Sequence, residues 1–445
     1  MIKNKAKLLW LLTLFGAALA ICFVATETRS KHDPVIAKLN AVADTLGQQV
    51  VVTFDLLGAA GDEVDVRFAV VDSAGNADSS PPGEVSGDTG SSVAPGKNRK
   101  IVWRYRDKKQ VRRSKIKISV ANAGGVDVEK MVHQVDSLNL KKMLSNIYGN
   151  RNRTSPAGRA HLQQVQQVLG NHFKANGLHV QRQEFTYNGY TGCNIIAKIP
   201  GRSAGSKTYV LCAHYDTVAD SPGADDNGSG IAGMLEVMRV LSKYEFKHSI
   251  VFAAFDMEED GSVGSGQYVL TAKNEPKQPI QGIINFDMIG AFSNEPNSQN
   301  IPPDFDRQFP DVYQSVVRDE YRARFVLNVG NQKSADLTAA FSRSGARYVP
   351  GLKILPVVVE GNGENYPEFA SSDHAAFWMG GYKAIHIGDG GNTRNEHMDS
   401  EHDQLHLVNY PFMANIVRAT VATLAELAEV QDRAGSLCEI QNDGQ

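Results

Sequence analysis

The chain has 445 residues, enough for two domains or three, and 42% of them are hydrophobic, ordinary for a protein that buries a real core. A formal net charge of −3 removes the electrostatic case for nucleic acid as a partner. Four scattered cysteines are too few for a disulfide framework, and Cys193 and Cys212, set in apolar runs, read as buried thiols.

Lys3, Lys5 and Lys7 precede an apolar run at residues 8–25. A basic start, an apolar stretch and Ala18-Leu19-Ala20 fit an export signal cleaved after Ala20. The run continues through Ile21-Cys22-Phe23-Val24, so an uncleaved membrane anchor through residues 8–25 fits as well, being just long enough to span a bilayer. A lipidated Cys22 fits less well, because Ile21 is a poor residue before such a cysteine. Every reading of residues 1–30 sends the rest of the chain out of the cytoplasm: to the periplasm, the medium or a membrane surface.

Residues 45–123 read as a small all-β sandwich. Val50, Val52, Phe54 and Leu56 alternate, as do Val64, Val66, Phe68 and Val70, and later Ile116, Ile118 and Val120. Period two buries one face of each strand and wets the other. Turn clusters such as Ser79-Ser-Pro-Pro-Gly83 separate the runs, and Ala123-Gly-Gly125 reads as a linker. The module resembles the immunoglobulin or fibronectin-like modules attached to secreted bacterial enzymes, and it carries no catalytic constellation.

From residue 130 to 430 the pattern changes to alternating strands and helices. Short apolar runs at 194–199, 208–213, 249–255 and 282–286 suit strands buried on both faces. Ile231, Met234, Leu235, Met238 and Leu241 follow helical spacing between two of them. The order predicts an α/β domain, a mostly parallel sheet flanked by helices. Residues 291–370, with Pro302-Pro303 and Gly361-Asn-Gly363, read as mobile loops, and residues 431–445 as a polar, mobile tail.

The chemistry-bearing residues stand where these runs end. His214 follows one strand, Glu258 and Glu259 another, Asp287 a third, and Asp226 precedes the helix that starts near Ser229. In open α/β sheets ligands bind at the carboxyl ends of strands, so these groups converge on one edge. Imidazole and carboxylates suit zinc, and a catalytic zinc keeps an open position for water. Asp216, two residues after His214, is placed to orient the imidazole. Asp226 is placed to bridge two metals, with Asp287 and Glu259 each completing one shell. Glu258 is then free to act as general base on a bridging water. A lone His-x-Asp, or Asp-Asp-Asn-Gly as a helix cap, is usually incidental; the joint pattern is far more specific.

The motifs His214-Tyr-Asp-Thr, Pro222-Gly-Ala-Asp-Asp-Asn-Gly-Ser-Gly230, Ala254-Phe-Asp-Met-Glu-Glu-Asp-Gly261, Asn285-Phe-Asp-Met-Ile-Gly290 and Ser372-Asp-His-Ala-Ala-Phe-Trp378 make residues 130–428 resemble metallopeptidase family 28, the secreted bacterial di-zinc aminopeptidases. The resemblance implies a zinc exopeptidase-like fold, two Zn2+ ions per chain, and peptide substrates cleaved at the N-terminal bond. It also implies ligand roles for His214, Asp226, Glu259 and Asp287, with Glu258 as base, and a supporting role for Ser372-Asp373-His374.

The chain departs from that family at the last ligand. The family pattern runs Asn-x-x-Tyr-His-Thr-x-x-Asp, whereas here the loop reads Asn395-Glu-His397-Met-Asp399-Ser-Glu-His402-Asp403. Without gaps the ligand position falls on Asp399, and His397 lies two residues earlier. His397 reaches the metal through a local loop adjustment, or Asp399 takes its place, which oxygen-ligated zinc permits, or the second metal site is incomplete. More carboxylate in the shell favours harder ions such as manganese. Three other readings share the pattern: a carboxypeptidase, which needs a cation for the substrate carboxylate; a glutaminyl cyclase with one zinc; and a non-catalytic binding protein whose last ligand has decayed.

Overall fold

The structure, a computed structural model, describes residues 35–44, 47–58, 64–71, 77–78, 83–106, 115–122, 126–203, 205–274, 279–431 and 435–441. The expected export signal or anchor and the 123–125 linker lie outside them. The chain divides into two units, 1–126 with 432–445, and 127–431. Among the described residues no helix is long and apolar enough to cross a membrane.

The first unit is built from two antiparallel sheets. One runs in the order Val35–Asp44, Gln49–Leu57, Gly96–Tyr105, Gly83–Gly87. The other centres on Val64–Val71 and Lys115–Asn122. The alternating Val50, Val52, Phe54 and Leu56 share one core with Val64, Val66, Phe68, Ile116, Ile118 and Trp103. Such burial contributes roughly 1.5–3 kcal/mol for each large apolar side chain. Gly435–Gln441 pairs antiparallel with Lys115–Asn122, so the expected mobile tail supplies a strand instead. A short edge strand is held by backbone ladder bonds and leaves little periodicity to read in the sequence.

The second unit carries an eight-stranded sheet in the order Lys353–Val359, Phe325–Asn331, Ala384–Gly388, Ile280–Phe286, Thr208–His214, Ser249–Phe255, Tyr190–Ile199, Val180–Tyr187. Its centre is parallel, from Ala384–Gly388 through Ile280–Phe286 and Thr208–His214 to Ser249–Phe255. The Tyr190–Ile199 and Val180–Tyr187 pairings are antiparallel, so the sheet as a whole is mixed. All seven residues of Ser249–Phe255 are buried, as expected of a strand covered on both faces. The helix Gly230–Leu241 is buried along its length except at Arg239, and Tyr410–Leu427 packs against it and against Ala335–Tyr348. On Pro156–Ala175 the chain starts with Ser155 capping Gly158 N–H at 3.0 Å and proline at the first helical position.

The stretch 291–370, read from sequence as mobile loops, is largely regular. Phe325–Asn331 and Lys353–Val359 pair in parallel and are connected through the helix Ala335–Tyr348. Gly330 and Pro356 disguise them, because both residues ordinarily break strands. Pro356 is tolerated because its strand ends the sheet and its outer side needs no donor.

Candidate metal centre

The parallel centre of the sheet delivers the site. His214 is the last residue of Thr208–His214, Glu258 and Glu259 follow Ser249–Phe255, and Asp287 follows Ile280–Phe286. Asp226 lies in the turn Ala224–Ser229 that opens into the helix Gly230–Leu241; its peptide bond to Asn227 is cis. Met257, Met288 and Asp399 all adopt left-handed backbone, with φ of 59°, 54° and 60°. Bulky non-glycine residues rarely do so, and such conformations cluster where side chains must be aimed.

His214 Nε2 lies 3.3 Å from Asp226 Oδ1, 3.5 Å from Asp287 Oδ1 and 3.9 Å from Glu258 Oε2. Its Nδ1 is 3.6 Å from Asp216 Oδ1. Three sets have one ligand atom per residue within 4.8 Å of one another: His214, Asp226 and Asp287; Asp226, Glu259 and Asp399; and His214, Glu258 and Glu259. Asp226 therefore belongs to two sets that share no other member. Asp399 stands with Asp226 and Glu259 in one of them. His397 belongs to none of the sets; its ring stands edge-on to His402 with centroids 5.9 Å apart. The Ser372-Asp373-His374 segment lies behind Asp287. Ser372 accepts from Asn285 at 2.8 Å, and His374 Nε2 donates to the Phe369 carbonyl at 2.8 Å.

The electrostatics of this cluster call for cations. Burial, then the charge of Asp226, pushes the Glu259 carboxyl up to about 9. Burial, with Asp373, Asp287 and Glu259 alongside, likewise raises Glu258 well above the ordinary carboxylate range. Burial opposes a charge on His214, but the surrounding carboxylates of Glu258, Asp287, Asp216 and Asp226 win, and its pKa is well above the usual value. The buried Asp226 Oδ1 and His214 Nδ1 have no hydrogen-bond partner. A buried polar atom without a partner is costly unless something else meets it. One imidazole among four buried or half-buried carboxylates fits divalent metal ions by donor chemistry and by charge.

Asp216, expected from the sequence to face the imidazole, has a second role, and the residues that support the site beside it, Arg151, Asp403 and Asn227, have no role assigned from the sequence. Asp216 Oδ1 accepts the Glu258 N–H at 3.1 Å, and Asp216 Oδ2 the Glu259 N–H at 3.3 Å. It therefore fixes the carboxylate turn as well as facing the imidazole. Arg151 is fully buried and donates to the carbonyls of Tyr215, Ile147, Gly149, Pro222 and Gly223 at 2.7–3.1 Å, framing the loop that leads to Asp226. Burial lowers its guanidinium to about 10, against the raising charges of Asp403 and Asp226. Asp403 accepts the backbone N–H groups of Asp225 and Asp226, all at 3.0 Å. Asn227 donates to Phe286 O at 2.8 Å and accepts from Met288 N–H at 3.2 Å, tying the Asp226 turn to the Asp287 turn.

An open α/β sheet with a carboxylate-rich centre of this geometry at its carboxyl edge defines a divalent-metal site of the hydrolase type. Residues 194–424 match the model of Peptidase family M28, and the chain belongs to that family. A probable zinc metalloprotease of Pyrenophora tritici-repentis is 28% identical over 257 residues, covering 53% of this chain and 51% of its own length. An aminopeptidase of Pseudomonas aeruginosa is 39% identical over 98 residues, 22% of this chain and 18% of its own. The crystal structure of the Legionella pneumophila LapA aminopeptidase superposes with a TM-score of 0.52 at 22% identity, over 68% of this chain and 74% of that one, a likeness of fold. The chain spans about half the length of the first curated relatives it matches.

Proposed function

We propose that the chain is an exported, zinc-dependent aminopeptidase that hydrolyses the N-terminal peptide bond of peptides at a two-metal centre. The observation that carries this reading is the position of Glu258. It reaches His214 and Glu259, yet stands outside both the His214–Asp226–Asp287 set and the Asp226–Glu259–Asp399 set. A carboxylate beside two candidate metal positions, and needed by neither, is free for proton transfer. His214, Asp226 and Asp287 would hold one ion, and Asp226, Glu259 and Asp399 the other, with Asp399 rather than His397 as last ligand.

Bound divalent ions supply the Lewis acid that polarises the scissile carbonyl and lowers the pKa of water. The chain does the rest. Glu258 takes a proton from the attacking water and delivers it to the leaving amine. Ser262 Oγ donates to Glu258 Oε1 at 3.3 Å and limits its swing. Asp216 holds the Glu258 backbone N–H and faces the imidazole of His214. The arginines coupled to the site acids, Arg151 and Arg153, are buried and committed to backbone carbonyls and to Asp256 and Asp260. Neither is presented to a substrate carboxylate. Export rests on the sequence of residues 1–30. The names of the aminopeptidase and zinc metalloprotease relatives support the substrate and the metal.

The test pairs elemental analysis of the purified chain with hydrolysis of a panel of aminoacyl anilides. Bound zinc with cleavage is expected, together with a fall of about 10²–10⁴-fold in kcat for Glu258→Gln at unchanged metal content. Full activity in Glu258→Gln would remove the reading.

A further inference from the structure

The two metal positions are chemically unlike. The inner set contains His214, 1% exposed and the single histidine of the three-residue groups, which also stands in the His214–Glu258–Glu259 group. The outer set, Asp226, Glu259 and Asp399, offers oxygen alone. Among the described residues no nearby histidine makes up the difference. His397 faces His402, while His374 and His386 pack against each other, with ring centroids 5.1 Å apart. The backbone fixes this choice. Asn395 Nδ2 donates to Asp225 Oδ2 at 3.1 Å, and Asp403 clamps the Asp225 and Asp226 N–H groups, so both ends of the loop are pinned to the Asp226 turn. Between the pins the left-handed Asp399 turns its carboxylate toward Asp226 and Glu259.

We propose that the centre is heterometallic: zinc at the His214 position, and a hard, oxygen-seeking divalent ion such as manganese at the position formed by Asp226, Glu259 and Asp399. The inference rests on the two-metal reading above and refines it. Zinc is a borderline ion that gains from nitrogen donors, whereas manganese, magnesium and calcium take carboxylates and water. Access points the same way. Asp226 is buried, Glu259 half-buried and Asp399 exposed, so the outer position opens to solvent and lets an ion keep several waters. Hard ions give up hydration reluctantly. Zinc outranks manganese in affinity at almost any fixed donor set, so the discriminating quantity is selectivity between the ions rather than absolute affinity.

The experiment strips the purified full chain with a chelator. It is then re-equilibrated with about two equivalents of zinc and a roughly hundredfold excess of manganese, enough to offset zinc's general advantage at an all-oxygen site but not at a nitrogen-containing one. Bound metal is read by elemental analysis, and protein-held manganese by electron paramagnetic resonance. One zinc and one manganese per chain are expected. Asp399→His, which restores an imidazole to the outer set, is expected to bind two zincs and lose its manganese signal at least about tenfold. Two zincs in the unaltered chain would overturn the inference and leave the two-metal reading standing. Retention of neither ion would remove both. The metal content of the unaltered chain decides between these outcomes even where Asp399→His fails to fold.

Discussion

Oδ1 of Asp216 accepts the backbone N–H of Glu258 at 3.1 Å, so the residue that faces the imidazole also fixes the backbone of the proposed base. Asp216→Ala therefore loosens two parts of the site with one change. Its zinc affinity and its kcat are both expected to fall, each by about 10–100-fold, as losses of groups behind a ligand commonly do. Metal titration alongside kinetics checks this. A drop in kcat with metal affinity intact would show that Asp216 serves the base alone.

Asp403 clamps the Asp226 turn without touching the imidazole. Asp403→Ala leaves the N–H groups of Asp225 and Asp226 buried without an acceptor. Each orphaned buried donor costs about 1–3 kcal/mol. A lowered unfolding midpoint is expected, and Asp403→Asn, which keeps one oxygen, should lose less. Equal midpoints for all three proteins would mean that the turn holds itself.

Gly223 has φ of +58°, and a Cβ there would lie 2.4 Å from Thr217 Cγ2, 2.5 Å from Arg151 Nη2 and 2.5 Å from Asp226 O. Two of those atoms belong to buried, hydrogen-bonded groups that have no room to withdraw. Gly223→Ala should therefore destabilise the protein by about 1–3 kcal/mol and displace the Asp226 turn. Thermal unfolding and zinc titration would both register it.

Far from the centre, hydrogen bonds from Arg324 and then Lys353 outweigh burial and hold Asp319 down from its ordinary 3.8 to about 2. A depressed folded pKa adds stability that is fully present above the unfolded value and is lost as pH falls through the folded one. Asp319→Asn should thus melt earlier than the unaltered chain at neutral pH. The gap should close between about pH 4 and pH 2. A gap that persists at lower pH would assign the effect to packing instead.

Much of the centre was legible in the sequence because its residues end apolar runs. His214, Glu258, Glu259 and Asp287 each follow a strand, and strands of one parallel sheet deliver their ends to one edge. Arg151, Asn227 and Asp403 were not legible. They act through backbone groups of distant segments, and no local pattern marks a side chain whose partner lies 178 residues away, as for Asp403 and Asp225. The choice between His397 and Asp399 was open for a related reason: two residues of loop register depend on a left-handed Asp399 and on Asn395 reaching Asp225. The strands at 325–331 and 353–359 were hidden by Gly330 and Pro356, breakers whose meaning depends on where in a sheet they fall.

That proline has an effect beyond its own strand. Lys353–Val359 is one border of an open eight-stranded sheet, and Val358 on it is 41% exposed. A bare border with apolar side chains invites another chain to add itself as a ninth strand. Pro356 has no N–H to offer, so the ladder such an intruder would need is missing a rung midway. The residue that made the strand hard to recognise is thus also one that weakens this border as a template for pairing.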